Sequence, residues 1–196
     1  MSPQFYLASR SPRRSQLLAQ LHLRFEVLPA DIAETPSPGQ SAEQFVRAMA
    51  HEKATAARRN TTADLPILGA DTEVVVDGEI LGKPADRAHG VAMLRRLSGR
   101  THEVYSAISV LLGDRCEDAL SVTRVVFGEI SAAQADAYWA SGEPCDKAGG
   151  YGIQGLGAIF VERIEGSYSG VMGLPLFETA ALLARFGVKP LAPGNG

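Results

Sequence analysis

Two arginines occupy the first turn of a helix that the sequence predicts near its N-terminal end. The segment reads Ser11-Pro12-Arg13-Arg14, and serine followed by proline is a typical helix start, because serine can cap a helix and proline fits its first position. A helix N-terminus carries partial positive charge, so Arg13 and Arg14 are unfavourable there unless they bind an anion. Backbone N–H groups and two guanidinium groups together suit a phosphate. The pattern therefore predicts a phosphate site; the alternative is that both arginines point into solvent.

A carboxylate interrupts an apolar, strand-like segment. Asp71 lies within the run 66–76, which ends in Val74-Val75-Val76. A carboxylate in such surroundings is unfavourable unless it is paired, binds a metal or faces a cleft. Asp71 is therefore a candidate general base or metal ligand. The alternative is that the strand emerges into solvent at Asp71, and the three valines that follow argue against it.

A second carboxylate stands in an acidic loop that follows a predicted strand. Glu34 shares this loop with Asp31, and loops of this kind are where α/β proteins commonly place functional residues. We therefore expect Glu34 to join Asp71 in holding a divalent cation.

Two lysines extend the set of cationic candidates. Lys83 stands between Gly82 and Pro84, which restrict the backbone, and Lys53 lies within a long predicted helix. Each lysine taken alone is typical of a solvated surface. Together with the two arginines they would form a cationic clamp on a polyphosphate.

A glycine-rich segment at 147–157 carries Tyr151 and Gln154. It contains the spacing G-x-G-x-x-G, but a dinucleotide site requires a strand before the glycines and a helix after them. Here a loop precedes and a predicted strand follows, so we reject that interpretation. The segment suits close approach of the backbone to a ligand, with the Gln154 amide able to read a base edge. The alternative is a tight structural connection.

Short apolar runs alternate with amphipathic stretches, a pattern typical of strands and helices interleaved around a sheet. Strands are predicted at 5–8, 25–28, 66–76, 79–81, 103–112, 116–127 and 158–163, and helices at about 12–21, 42–59, 87–98, 132–140 and 175–186. The segments 103–112 and 116–127 form an antiparallel hairpin around Gly113-Asp114. The expected fold is α/β with a mixed sheet, in a single domain over 1–187 followed by a frayed tail at 188–196.

Composition limits the classes of partner. The 196 residues include 19 Lys and Arg against 22 Asp and Glu, a net charge of −3, whereas proteins that bind nucleic acid non-specifically carry a basic excess. Two cysteines without metal-ligand or disulfide spacing fit a reducing compartment. No apolar run reaches the roughly 18 to 20 residues that span a bilayer, and no signal peptide is recognised. We expect a cytoplasmic protein that binds neither nucleic acid nor membranes.

The motifs taken together resemble the Maf family of nucleotide pyrophosphatases. They are Leu-Ala-Ser-Arg-Ser-Pro-Arg-Arg at 7–14, Gly-Ala-Asp-Thr at 69–72, Gly-Lys-Pro at 82–84, Lys-Ala-Gly-Gly-Tyr-Gly-Ile-Gln-Gly at 147–155 and Ser-Tyr-Ser-Gly-Val-Met-Gly-Leu-Pro at 167–175. They occur in family order and spacing, and the resemblance extends from about residue 5 to residue 187. It implies an inosine-triphosphatase-like fold, in which helices flank a long mixed sheet and two lobes surround a cleft. It also implies a homodimer.

The resemblance implies hydrolysis of a nucleoside triphosphate to the monophosphate and pyrophosphate, aided by Mg²⁺ or Mn²⁺. It makes Asp71 the proton acceptor. The residues associated with base selectivity are Arg13, Thr72 and Gln154. Those that line the site are Ser9, Arg14, Glu34, Lys53 and Lys83.

Gln154 makes the glycine-rich segment similar to the branch of the family that acts on dTTP and UTP, as a house-cleaning activity that can extend to modified pyrimidine nucleotides. The branch that acts on 7-methyl-GTP has Glu at the corresponding place. Two alternatives stay open: a pyrophosphatase for 7-methyl-GTP or another base, and a nucleotide-binding regulator of septum formation without useful turnover.

Overall fold

A mixed β-sheet forms the centre of the computed structural model, which describes residues 2–190. Over these residues the sheet has seven strands: β1 (Phe5–Ala8), β2 (Phe25–Val27), β3 (Ile67–Val76), β4 (Glu79–Ile80), β5 (Thr101–Leu112), β6 (Arg115–Phe127) and β7 (Val161–Glu165). The strand order is β2-β1-β3-β5-β6-β7, and β4 pairs with the end of β3. β1 is parallel to both of its neighbours and the other pairs are antiparallel. The predicted mixed α/β fold is confirmed.

Helices lie between the strands and, among the described residues, after the last of them. They are α1 (Pro12–Ala19), α2 (Ala42–Arg58), α3 (Arg87–Leu97), α4 (Ala132–Ala140), α5 (Tyr168–Met172) and α6 (Leu176–Arg185). The capping boxes that begin at Ser41 and Ser131 are both formed, and the Asp86 side chain accepts a hydrogen bond from the backbone of His89 at the start of α3. These helix starts depend on local hydrogen bonds, which explains why the sequence alone predicts them.

Three details differ from expectation. The Ser11 side chain makes no capping hydrogen bond to α1; the Ser9 hydroxyl instead accepts from the Ser11 backbone at 3.2 Å. The strand expected at 158 begins at Val161, because residues 156–160 form a 3-10 turn. The helix α5 was not predicted, since five residues are too few to show a helical period.

Helices cover both faces of the sheet. On one face Val46 and Ala50 of α2 pack against Ala107 of β5. On the other face the side chains of α1 and α6 bury the sheet residues Leu68 and Ile108. Successive residues of a strand point to opposite faces, so neighbouring residues of β3 serve different layers of the protein.

The contact between α2 and β3 is unusually close at Gly69. A Cβ atom added there would lie 2.1 Å from the carbonyl oxygen of Ala50 and 2.9 Å from the backbone nitrogen of Ala54. The absence of a side chain therefore lets the helix backbone approach the strand. Asp71 lies two residues further along the same face of β3, so this approach brings α2 and its Lys53 against Asp71.

Two large groups of buried side chains lie on the same sheet. The first joins α1, α6 and the start of β3, whereas the second joins α3, α4 and the end of β3. Val188, at the start of the predicted tail, is buried in the first group, and residues 191–196 of that tail lie outside the described residues. Among residues 2–190, none of the helices has the length and apolar character needed to cross a membrane.

Candidate active site

A cleft of about 650 Å³ opens beside the end of β1 and the middle of β3. Every site residue predicted from the sequence lines it: Ser9, Arg13, Arg14, Glu34, Lys53, Asp71, Thr72, Lys83 and Gln154. Residues from both ends of the chain and from both faces of β3 therefore meet in one place.

Arg14 is fixed in two directions. Its Nη1 donates to the Ser9 hydroxyl at 3.1 Å, and its Nε donates to the carbonyl oxygen of Gly173 at 2.8 Å. Burial lowers the pKa of Arg14, and the negative charges of Asp71 and Glu34 offset only part of that effect. The guanidinium thus lacks full charge compensation, which an anionic ligand would supply.

Arg13 turns across the cleft toward the glycine-rich segment. Its Nη1 lies 3.1 Å from Oδ2 of Asp146, and the other oxygen of Asp146 accepts from Lys147 at 2.7 Å. Both arginines are thus engaged at the cleft, which excludes the alternative in which they simply point into solvent. Asp146 was missed in the sequence, where nothing local relates it to Arg13.

Lys53 lies between two carboxylates. Its Nζ is 2.7 Å from Oδ1 of Asp71 and 2.5 Å from Oε1 of Glu34. Lys53 is 8% exposed and Asp71 is 5% exposed, so this lysine departs from the usual solvated position.

Lys83 is exposed and its Nζ lies 3.7 Å from Oε2 of Glu34. Although burial opposes it, the pKa of Glu34 is lowered, because Lys53 donates a hydrogen bond and adds positive charge.

The second oxygen of Asp71 has a different environment. Oδ2 is buried and has no hydrogen-bond partner among the described residues. A polar atom in this state favours a ligand that can bind it, such as a water molecule or a cation.

The donor set fits a divalent cation that arrives with a phosphate ligand. Among residues 2–190, no three His, Cys, Asp or Glu side chains converge as a ready-made metal site. Mg²⁺, however, is commonly held by one or two carboxylates together with substrate phosphates and water. Asp71 Oδ2 and the carboxylate of Glu34 match that requirement.

Glu73 is a cleft residue that sequence reasoning missed. Burial raises its pKa to about 8, and the negative charges of Asp71 and Glu34 add to that shift. The signal was present in the sequence, because Glu73 follows Asp71 by two residues and so shares its face of a strand. Both are carboxylates in the same apolar run.

Thr72 points to the opposite face of β3. Its hydroxyl lies 3.0 Å from the hydroxyl of Ser106 and donates to the Gly173 carbonyl at 3.3 Å. This carbonyl is the same one that binds Arg14. Gly173 has a φ of 122°, which favours glycine. The segment 167–175 therefore presents one backbone oxygen to two of the predicted site residues.

The glycine-rich segment has the context that argued against a dinucleotide site. A short 3-10 turn precedes it at Glu143–Asp146, and another begins at its end, at Leu156–Phe160, before β7. Tyr151 is buried and its hydroxyl lies 2.8 Å from Nε2 of His102, whereas Gln154 is exposed at the rim of the cleft. The buried part anchors the segment and Gln154 faces the cleft.

Residues 4–186 match the family described as Maf-like protein. The chain belongs to the Maf family. Among its Maf relatives is the dTTP/UTP pyrophosphatase of Methylococcus capsulatus, which is 53% identical, with 93% of this chain and 90% of the relative covered. The dTTP/UTP pyrophosphatase of Saccharophagus degradans is 51% identical, with 98% and 94% covered, and that of Shigella boydii is 51% identical, with 92% of each covered.

Solved structures provide a further comparison for this Maf-family chain. The nucleoside-triphosphatase / dITP/XTP pyrophosphatase of Mycobacterium abscessus is 19% identical and gives a TM-score of 0.44, with 92% of this chain and 94% of that chain covered. This likeness concerns the fold alone.

Proposed function

We propose that this Maf-family chain hydrolyses the pyrimidine nucleoside triphosphates dTTP and UTP to the monophosphate and pyrophosphate. The observation that carries the proposal is the cleft itself, in which a buried carboxylate faces a group of cationic side chains and has one oxygen without a hydrogen-bond partner among residues 2–190. A triphosphate needs positive charge along its length, and its hydrolysis needs a group that accepts a proton from water. The names of relatives at 51–53% identity support the choice of dTTP and UTP.

The cationic side chains bind and orient the triphosphate. Arg14 is held by Ser9 and Gly173, so its remaining N–H groups have a fixed direction in which to meet phosphate oxygens. Arg13 and the exposed Lys83 reach the cleft from other sides. Such preorganised charge lowers the energy of a transition state in which negative charge moves toward the leaving pyrophosphate.

Asp71 activates the attacking water. Lys53 holds Oδ1 through its 2.7 Å contact, and the Asp71 carboxylate accepts the proton that the water loses. The water oxygen forms a bond to the α-phosphorus, and the bond from that phosphorus to the oxygen bridging to the β-phosphate breaks. Pyrophosphate leaves with the electron pair of the broken bond.

Asp71 and Glu34 are the residues that would hold a divalent cation. When bound, Mg²⁺ or Mn²⁺ would neutralise phosphate charge as a Lewis acid.

Gln154 and Thr72 are proposed to select the base, together with Arg13. A site whose polar groups pair with one base edge rejects a base that leaves those groups unpaired. The proposed partner is therefore a small nucleotide.

Two free, exposed cysteines are compatible with the reducing cytoplasm as the proposed location. The homodimer stays a prediction.

Pyrophosphate release from purified protein tests the function. The parent should release pyrophosphate from dTTP and UTP, and Asp71→Asn should lower kcat by about 10²- to 10⁴-fold, as expected for loss of a general base. Asp64→Asn, which changes an exposed aspartate in the loop before β3, is the matched control and should retain parental kcat. A parent that binds UTP without releasing pyrophosphate would instead favour the regulatory alternative.

A further inference from the structure

Glu143 is bound to both the backbone and a side chain around the glycine-rich segment. Its Oε2 accepts from the backbone of Leu156 at 2.8 Å, and its Oε1 accepts from the backbone of Gly157 at 3.0 Å. Oε1 also accepts from the Tyr138 hydroxyl at 2.7 Å. Although burial opposes it, the pKa of Glu143 is lowered by these hydrogen bonds. The carboxylate is therefore bound as an anion at the distal side of the segment.

Tyr138 extends this contact to the other side of Gln154. While it donates to Glu143, its hydroxyl accepts from the backbone of Gly152 at 3.0 Å. Tyr138 is 4% exposed, and its ring packs edge-on against Phe160. A buried tyrosine on α4 and one carboxylate thus hold the backbone on both sides of Gln154.

The glycines of the segment permit this arrangement. A Cβ atom at Gly155 would lie 2.2 Å from Oε2 of Glu143, and one at Gly157 would lie 2.6 Å from the Tyr138 hydroxyl. The positions that lack side chains are therefore those that the two polar groups approach. This fit indicates that these glycines leave room for an internal hydrogen-bond centre.

The 3-10 turn Glu143–Asp146, which carries Glu143, also reaches the side of the cleft where Arg13 lies. Lys147 donates to the backbone carbonyl of Glu143 at 2.6 Å and to Asp146 at 2.7 Å. Asp146 in turn accepts from Arg13 at 3.1 Å. One short turn therefore supports Gln154 at one end and contacts Arg13 at the other.

We infer that Glu143, acting with Tyr138, is a positioning residue for base selection, because it fixes the backbone that carries Gln154. Neither of these two side chains is among the described residues that line the cleft, so both act through the segment rather than on the ligand. The inference rests on the proposed function, since it assigns to Gln154 the contact with the base. It predicts that loosening this centre changes which nucleotide is preferred and not only how fast nucleotides are hydrolysed.

Binding of α,β-methylene UTP and α,β-methylene CTP, measured by calorimetry, tests the inference independently of hydrolysis. The two bases present different donors and acceptors on the edge that Gln154 would read. Glu143→Gln replaces one acceptor oxygen with an amide nitrogen that cannot accept from a backbone N–H. We expect the preference for the UTP analogue, given as the ratio of the two Kd values, to fall by about 10-fold or more. Glu162→Gln, at an exposed glutamate of β7, should leave the ratio unchanged.

A double variant separates positioning from a general loss of folding. If Glu143 acts through Gln154, then Glu143→Gln in a Gln154→Ala background should change the Kd ratio no further. Should Glu143→Gln fail to fold, Tyr138→Phe removes the hydroxyl alone and should still lower the ratio. An unchanged ratio in the folded variants, with both Kd values moved equally or not at all, overturns the inference. Absence of pyrophosphate release from the parent would overturn the proposed function separately.

Discussion

The ammonium nitrogen of Lys53 lies 2.7 Å from Oδ1 of Asp71, and both side chains are buried. Breaking a buried pair by removing one partner leaves an uncompensated charge, which typically costs about 3–5 kcal/mol of stability. Lys53→Met should therefore lower the free energy of unfolding by about that amount, measured by urea denaturation. The double variant Lys53→Met/Asp71→Asn should be more stable than Lys53→Met alone, because the buried charge is removed as well. A double variant less stable than Lys53→Met would contradict this account.

Arg14 offers a test of geometry at constant charge. Arg14→Lys keeps a positive charge, but an ammonium group cannot bind Ser9 and Gly173 while it also presents a planar fork to phosphate. We expect KM for UTP to rise by about 10-fold, which corresponds to the loss of one charge-assisted hydrogen bond. Arg124→Lys, at an arginine on the exposed surface of β6, is the control and should leave KM unchanged. Equal KM values for Arg14→Lys and the parent would show that charge alone is sufficient.

Removal of divalent cations should stop pyrophosphate release. EDTA is expected to abolish the activity, and added Mg²⁺ or Mn²⁺ should restore it, because Asp71 and Glu34, the cleft residues proposed to hold the cation, carry oxygen atoms of the kind that such ions prefer as ligands. Mn²⁺ binding in the presence of α,β-methylene UTP, followed by electron paramagnetic resonance, should be weaker in Glu34→Gln than in the parent. Activity that persists at saturating EDTA would refute the cation requirement.

The lowered pKa of His102 predicts that the free energy of unfolding depends on pH. Burial lowers its pKa from 6.5 to about 4, and its Nδ1 has no hydrogen-bond partner among the described residues. Between these two pKa values the unfolded chain binds more protons than the folded one, so stability rises with pH across the window and is lost as pH falls through it. This shift in the pKa of His102 corresponds to about 3 kcal/mol in the free energy of unfolding.

Urea unfolding at pH 7 and pH 4 measures this contribution. The parent should lose about 3 kcal/mol more than His102→Gln between the two pH values, whereas His89→Gln, at an exposed histidine, should behave as the parent does. Comparison with the two variants removes the part of the acid sensitivity that comes from carboxylates. Identical losses in the parent and His102→Gln would exclude His102 as the source.

Local rules were sufficient to predict most of the elements. The capping boxes at Ser41 and Ser131 involve residues three apart in the chain, and such hydrogen bonds are readable without a tertiary structure. The apolar alternation that defines strands is local as well. The helix α5 was missed because its five residues make fewer than two helical turns and show no helical period.

The partners within the site could not be read from the sequence in the same way. Lys53 was recognised as a candidate, but its burial depends on the close approach of α2 to β3 at Gly69. Glu143 has no unusual neighbours in the sequence, since its partners Leu156 and Gly157 lie beyond a loop. Tertiary packing determines these contacts, whereas residue type and spacing indicate only which residues are candidates to make them.

The hydrogen bond from Arg14 to Gly173 joins residues that are 159 positions apart. During synthesis Arg14 leaves the ribosome long before Gly173 is added, and until then neither Arg14 nor Thr72 can meet its carbonyl acceptor. The cleft therefore stays incomplete until Gly173 has been added. Copies that terminate before Gly173 would lack this contact, so the surrounding pool of nucleotides would encounter a finished site only in chains that extend beyond Gly173.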